Sequence, residues 1–114
     1  MNKEFNCPVE ATISLIGGKY KSVILFHLMG KTLRYSELHK KIPKATDKML
    51  AQQLRELEKD GLIKRTVYPV VPPKTEYNLT EFGESLSPIL NAMCNWGESC
   101  LLYTSPSPRD TERS

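Results

Sequence analysis

The run from Thr46 to Gly61, TDKMLAQQLRELEKDG, limits what this chain can fold into more than any other segment. Thr46 can accept a hydrogen bond from an orphan backbone N–H, strong helix formers fill the positions behind it, and Gly61 supplies a C-terminal stop. At about 100° per residue, Leu50, Leu54 and Leu57 fall on one narrow stripe while Lys48, Gln52, Arg55 and Lys59 fall opposite. The leucine stripe must face a core, so the helix belongs to a domain with other elements packed against it. Its other side carries cations and an amide.

The remaining segments supply those partners. Pro8 suits the first turn of a helix whose apolar face is Val9, Ile13 and Ile16, and Gly17-Gly18 ends it. KYKSVILFHLM is apolar on nearly every side and predicts a buried central helix that stops at Gly30. After a short extended stretch at Leu33, a third helix places Tyr35, Leu38 and Ile42 together and stops at Pro43. LIKRTVY and TEYNL, rich in β-branched and aromatic residues, predict two strands joined by a loop that Pro69, Pro72 and Pro73 stiffen. Thr80 then caps a last helix carrying Phe82, Leu86, Ile89, Met93 and Trp96, in which Pro88 forces a kink or a later start. The expected architecture is mainly α with a small β-hairpin, an α+β fold of the winged helix-turn-helix kind, and dimeric.

Residues 7–100 are read as one domain with dimerisation helices at both ends, and 101–114 as a disordered or non-native tail. From Leu101 the chain changes character, with no periodicity and two Ser-Pro steps. The whole chain has 114 residues, the size of a single domain. No apolar run is long enough to span a bilayer and MNKEFNCPVE lacks the apolar stretch of a secretory signal, so a cytoplasmic protein is expected. Cys7, Cys94 and Cys100 form no C-x-x-C pair and no zinc-spaced cluster, and no Gly-rich phosphate loop occurs. His27 reads as a hydrogen-bonded core histidine and His39 as a solvated one. Neither has a partner at catalytic spacing, so no enzyme, metal or cofactor is expected.

Net charge is +3, which permits an anionic partner without requiring one. Two helices joined by the tight KIPKAT connection and followed by a hairpin are the parts of a winged helix-turn-helix. In helix-turn-helix docking on DNA the early residues of the second helix lie deepest, making Thr46, Lys48 and Gln52 candidates for base contact and Arg55 for the backbone, with Lys59, also a DNA-contact candidate, too far along to read bases. Lys64, Arg65 and the loop residue Lys74 add cations on the hairpin. The outward face of one helix could be merely a solvated surface; the charged hairpin behind it favours duplex DNA. A winged-helix module that binds protein instead is the alternative.

Together, CPVEATISLIGGKYK, LRYSEL, KMLAQQLRELEKDGLIKRTVYPVVPPKTEYNLTEFG and NAMCNWG make the chain from about Cys7 to Gly97 resemble the HxlR-type branch of winged helix-turn-helix regulators, relatives of the MarR-like repressors. The resemblance implies a dimeric bacterial transcription regulator with its recognition helix on Lys48 to Leu57 and its wing near Tyr68 to Lys74. Tyr20 stands where the family usually has tryptophan and Tyr35 where phenylalanine is common; both keep an aromatic residue. The tail after Cys100 is the larger departure.

Two further expectations concern assembly and control. Leu86, Ile89, Met93 and Trp96 on the last helix, with Val9, Ile13 and Ile16 on the first, form more apolar surface than a domain this small can bury, which predicts a two-fold homodimer on a palindromic operator. Cys7, just before Pro8, stands at a helix N-terminus, where the dipole favours a thiolate. It is the candidate for redox sensing; the alternative is a small half-buried residue that packs the helix start. The resemblance adds that several family members sense oxidants or electrophiles through a cysteine near the N-terminus, which leaves room for an electrophile or small-molecule effector whose identity the sequence does not give.

Overall fold

The computed structural model describes residues 5–102. Six α-helices and three strands follow one another as α1 (Pro8–Ile16), α2 (Lys21–Leu28), β1 (Thr32–Arg34), α3 (Tyr35–Lys41), α4 (Asp47–Lys59), β2 (Ile63–Tyr68), β3 (Lys74–Leu79), α5 (Glu81–Glu84) and α6 (Ser87–Gly97), with a π-helical turn at Glu98–Leu102. The chain therefore stays helical through Leu101 and Leu102, which the sequence assigned to the tail. The rest of that expected tail lies outside the described residues.

The core is built on α2 and α4. Ile24, Leu25 and Leu28 of α2 pack with Leu38 of α3 and with Leu50, Leu54 and Leu57 of α4, all 0–2% exposed. α2 is less enclosed than its composition predicts: Val23 is 40% exposed and Phe26 and His27 are only half-buried, because α6 lies against that side without filling the space between the two helices. His27 has no hydrogen-bond partner among the described residues; its ring meets Phe26 edge-on, and burial, with the Lys41 and Lys31 charges, pushes its imidazole below the ordinary value. Gln53, buried at 6% exposure, accepts the Tyr20 backbone N–H through Oε1 at 3.1 Å. The Lys21 ammonium, also buried, meets Glu56 Oε1 at 2.7 Å and ties α2 to α4.

The hairpin is joined by a third strand that the sequence showed only as an extended stretch. The sheet order is β1-β3-β2, all antiparallel, with Leu33 opposite Tyr77 and Arg65 opposite the same Tyr77 on the other side. Three residues, two of them polar, carry no strand signature alone; β1 exists because β3 offers it a free edge. Ile63, Tyr77 and Leu79 on one sheet face are buried against the helices.

Two glycines are placed by backbone geometry. Gly61, just past α4, has φ +79°, a left-handed conformation that ends the helix and that a side chain would strain. Gly83 lies so close to the start of the wing that a Cβ there would overlap the Leu62 carbonyl oxygen. The single last helix expected after Thr80 is two. Thr80 Oγ1 accepts from Gly83 N–H at 3.1 Å to cap the four-residue α5, and α6 restarts at Ser87 with Pro88 in its first turn. Phe82 consequently leaves the α6 stripe and is 52% exposed.

Candidate nucleic-acid interface

The turn between α3 and α4 is fixed by side chains of α3. His39 Nε2 lies 2.8 Å from the Ala45 carbonyl and Nδ1 lies 3.2 Å from Asp47 Oδ1. The Tyr35 hydroxyl donates to the same Asp47 oxygen at 2.8 Å. Burial and this carboxylate together push the Tyr35 phenol up to about 12. His39 is thus a bridge between two helices rather than the solvated residue its lysine neighbours suggest. The periodic pattern could not reveal this, because the contact depends on how the turn folds back.

Thr46 is the N-cap of α4, its Oγ1 accepting from Met49 N–H at 3.1 Å. That hydroxyl therefore supports the helix first. Lys48, Gln52, Arg55 and Lys59 are all exposed, on one side of α4, away from the buried leucines. Gln52 Nε2 donates to Glu56 Oε2 at 3.2 Å, so reading a base edge requires giving up or sharing that bond. Glu56 lies at the margin of this face. Hydrogen bonding from Lys21, then from Gln52, holds its carboxyl below the ordinary value.

On the wing, Lys64 and Arg65 are exposed but adjacent along β2, so they project from opposite faces of the sheet. A single DNA surface cannot meet both in the same way. Lys74 is half-buried, with Nζ 3.7 Å from Glu76 and 4.8 Å above the Tyr68 ring. The Tyr68 hydroxyl bonds the same Glu76, which raises its pKa. The loop cation expected to reach outward is held against the wing instead. Beyond it, Val70 is 52% and Val71 99% exposed at the tip.

The terminal helices divide differently from the sequence reading. Val9 and Ile13 of α1 and Ile89, Met93 and Trp96 of α6 are 41–65% exposed, whereas Ile16 is 7% exposed in the core of its own chain and Leu86 packs partly against that core. Ile16 is a core residue, not a surface one. Leu90, absent from the expected stripe, is the buried anchor of α6. Ser22, Val23, Phe26, Leu90, Met93 and Cys94 line a largely apolar groove of about 450 Å³ between α2 and α6. Cys7 is the N-cap residue of α1, exposed, with no side-chain capping bond.

The HxlR-like helix-turn-helix family model matches residues 15–104, a span that holds α3, α4 and the wing. The chain belongs to the HxlR-like helix-turn-helix family of transcriptional regulators. This HxlR-like chain is 57% identical over 95 residues to YtcD of Bacillus subtilis, covering 83% of the chain and 75% of that uncharacterized regulator. It is 54% identical over 92 residues to YdeP of the same organism, covering 81% and 72%. Among solved structures it is similar to the redox regulator HypR in its oxidized form, at 50% identity and TM-score 0.78 over 82% of this chain and 96% of that one. It is also similar to reduced YodB from B. subtilis, at 35% identity and TM-score 0.70 over 85% and 96%.

The family and the named relatives are regulators rather than enzymes. Among the described residues no group of three or more His, Cys, Asp or Glu side chains is placed to hold a metal ion. No described helix is long and apolar enough to cross a membrane.

Proposed function

We propose that the chain acts as a homodimer that places α4 of each subunit in successive major grooves of an operator, with the wings on flanking DNA. The observation that carries this reading is the exposed face Lys48, Gln52, Arg55 and Lys59 on a helix whose opposite face is fully buried and whose N-terminus α3 clamps in place. Thr46, Lys48 and Gln52 lie earliest on that helix and are assigned to the bases; Arg55 and Lys59 are assigned to phosphates. On the wing, Lys64 and Arg65 serve different strands or different partners, and Lys74 acts through the shape of the wing.

The dimer rests on the exposed apolar residues of α1 and α6. Of the nine residues of α1 only Ile16 is buried, which is too little to hold a helix on a monomer. A second copy would cover Val9, Ile13, Ile89, Met93 and Trp96. Selection of bound fragments from a random duplex library, followed by footprinting, tests the whole reading. The expected site is a palindrome with half-site centres one helical turn, about 34–36 Å, apart. A single unrepeated half-site would remove the dimer, and no enrichment would remove DNA.

Control by thiol chemistry is assigned to Cys7, which is exposed at the start of the helix proposed to lie between subunits. HypR and YodB, solved in oxidized, reduced or diamide-treated forms, support the reading. Mild oxidation should change operator affinity in the wild type and leave Cys7→Ser unaffected. Equal responses in both proteins would exclude Cys7.

A further inference from the structure

A notch of about 610 Å³ opens between the wing loop and the start of α3, lined by Arg34, Tyr35, Ser36, Tyr68, Pro73 and Thr75 among others. Its origin is topological. β1 pairs with β3 only as far as Arg34 opposite Glu76, and the chain then turns into α3, leaving the Lys74–Thr75 end of β3 uncovered on that side. The backbone at this corner is held firmly, since Glu37 Oε1 accepts the Arg34 N–H at 2.8 Å.

Arg34 differs from the other cation of the notch. Lys74 is spent on Glu76 and on the Tyr68 ring, whereas the exposed Arg34 guanidinium has no ion pair among the described residues. Glu37, three residues on, accepts the Arg34 N–H, and Glu76, opposite Arg34 across the strand pair, is engaged by Lys74 and the Tyr68 hydroxyl. Ser36 adds an exposed hydroxyl. The ring of Tyr35 forms part of the notch wall while its hydroxyl reaches Asp47, the first residue of α4. One side chain therefore separates the notch from the N-terminus of the recognition helix, and the wing forms its other wall. The notch thus lies between the two elements to which the DNA-binding reading assigns the duplex.

We propose that this notch holds a phosphate of the DNA backbone between the recognition helix and the wing, with the Arg34 guanidinium as its cation and Ser36 as a second donor. Arg34 then contributes affinity and register without reading sequence. The inference rests on the DNA-binding reading above.

The test is fluorescence-anisotropy titration of the full chain, at several salt concentrations, with a library-selected duplex and a random duplex of equal length. Arg34→Gln should weaken both duplexes by the same factor, about five- to tenfold per half-site near 0.1 M salt, and lower the slope of log K against log salt by about 0.9 per half-site. Arg34→Lys should keep most of the slope. Thermal melting checks that each variant remains folded. Unchanged affinity and slope in Arg34→Gln, with wild-type binding intact and Lys48→Ala weakened, would overturn the notch alone. A loss confined to the selected duplex would also overturn it, because a phosphate contact cannot discriminate sequence. Failure of the wild type to bind any duplex would remove the underlying reading and the notch with it.

Discussion

Helices α4 and α6 are both amphipathic, yet they end in opposite situations. α4 buries Leu50, Leu54 and Leu57 inside its own subunit and turns Lys48, Gln52, Arg55 and Lys59 to solvent. α6 buries only Leu90 and leaves Ile89, Met93 and Trp96 outside. Periodicity shows that a face wants to leave water but not which surface receives it. The core of a small domain is used up by α2, α3 and α4. The apolar residues of the terminal helices are then left exposed, where the proposed dimer covers them, while the polar side of α4 is left facing solvent.

The largest effect expected from this contrast lies on α4. Leu54→Ala removes a fully enclosed side chain and should cost about 2–5 kcal/mol in urea unfolding, whatever the protein concentration. If the loss were under 1 kcal/mol, the leucine stripe would not be the centre of the core. Trp96→Ala should act on association instead. Truncating a central aromatic anchor typically costs at least about 2 kcal/mol, so sedimentation should show the dimer weakened by roughly thirtyfold or more. The circular dichroism of the folded subunit should stay unchanged. A dimer insensitive to Trp96, or a subunit that unfolds without it, would erase the distinction between the two helices.

Much of this contrast was legible in the sequence, and the failures share a cause. Thr46, Gly61 and the leucine spacing defined α4 because each signal is local to the helix. β1 was missed because a three-residue strand is specified by its neighbour β3 rather than by its own residues. Ile16 repeated with Val9 and Ile13 at helical spacing, but spacing cannot tell the core of one chain from the interface of two. The bonds of His39 and Tyr35 to Asp47, and the tethering of Lys74 by Glu76 and Tyr68, depend on tertiary placement. Within LRYSEL nothing local marks Arg34 as an anion ligand, because a single arginine before a short helix carries no pattern.

A smaller effect sharpens the boundary between the two faces of α4, where Glu56 meets Lys21. Its carboxyl is held below 4.5 in the folded chain, first by the Lys21 hydrogen bond and then by Gln52. A lowered folded value means that the ion pair stabilises the fold above the unfolded carboxylate value and loses that effect as pH falls through the folded one. The stability difference between wild type and Glu56→Gln should therefore be present at neutral pH and shrink below about pH 4.5. A difference that stayed constant down to pH 3 would show that the pair acts through packing and not through charge.

The central claim is that the outward face of α4 reads DNA sequence. Its most direct test is the ratio of affinities for a library-selected and a random duplex, measured at one salt concentration for wild type, Lys48→Ala and Gln52→Ala. Loss of a bidentate base contact should lower that ratio by about 1–3 kcal/mol, roughly fivefold to 150-fold, while binding to random duplex falls much less. An unchanged ratio in both variants would contradict the account and move sequence recognition off α4.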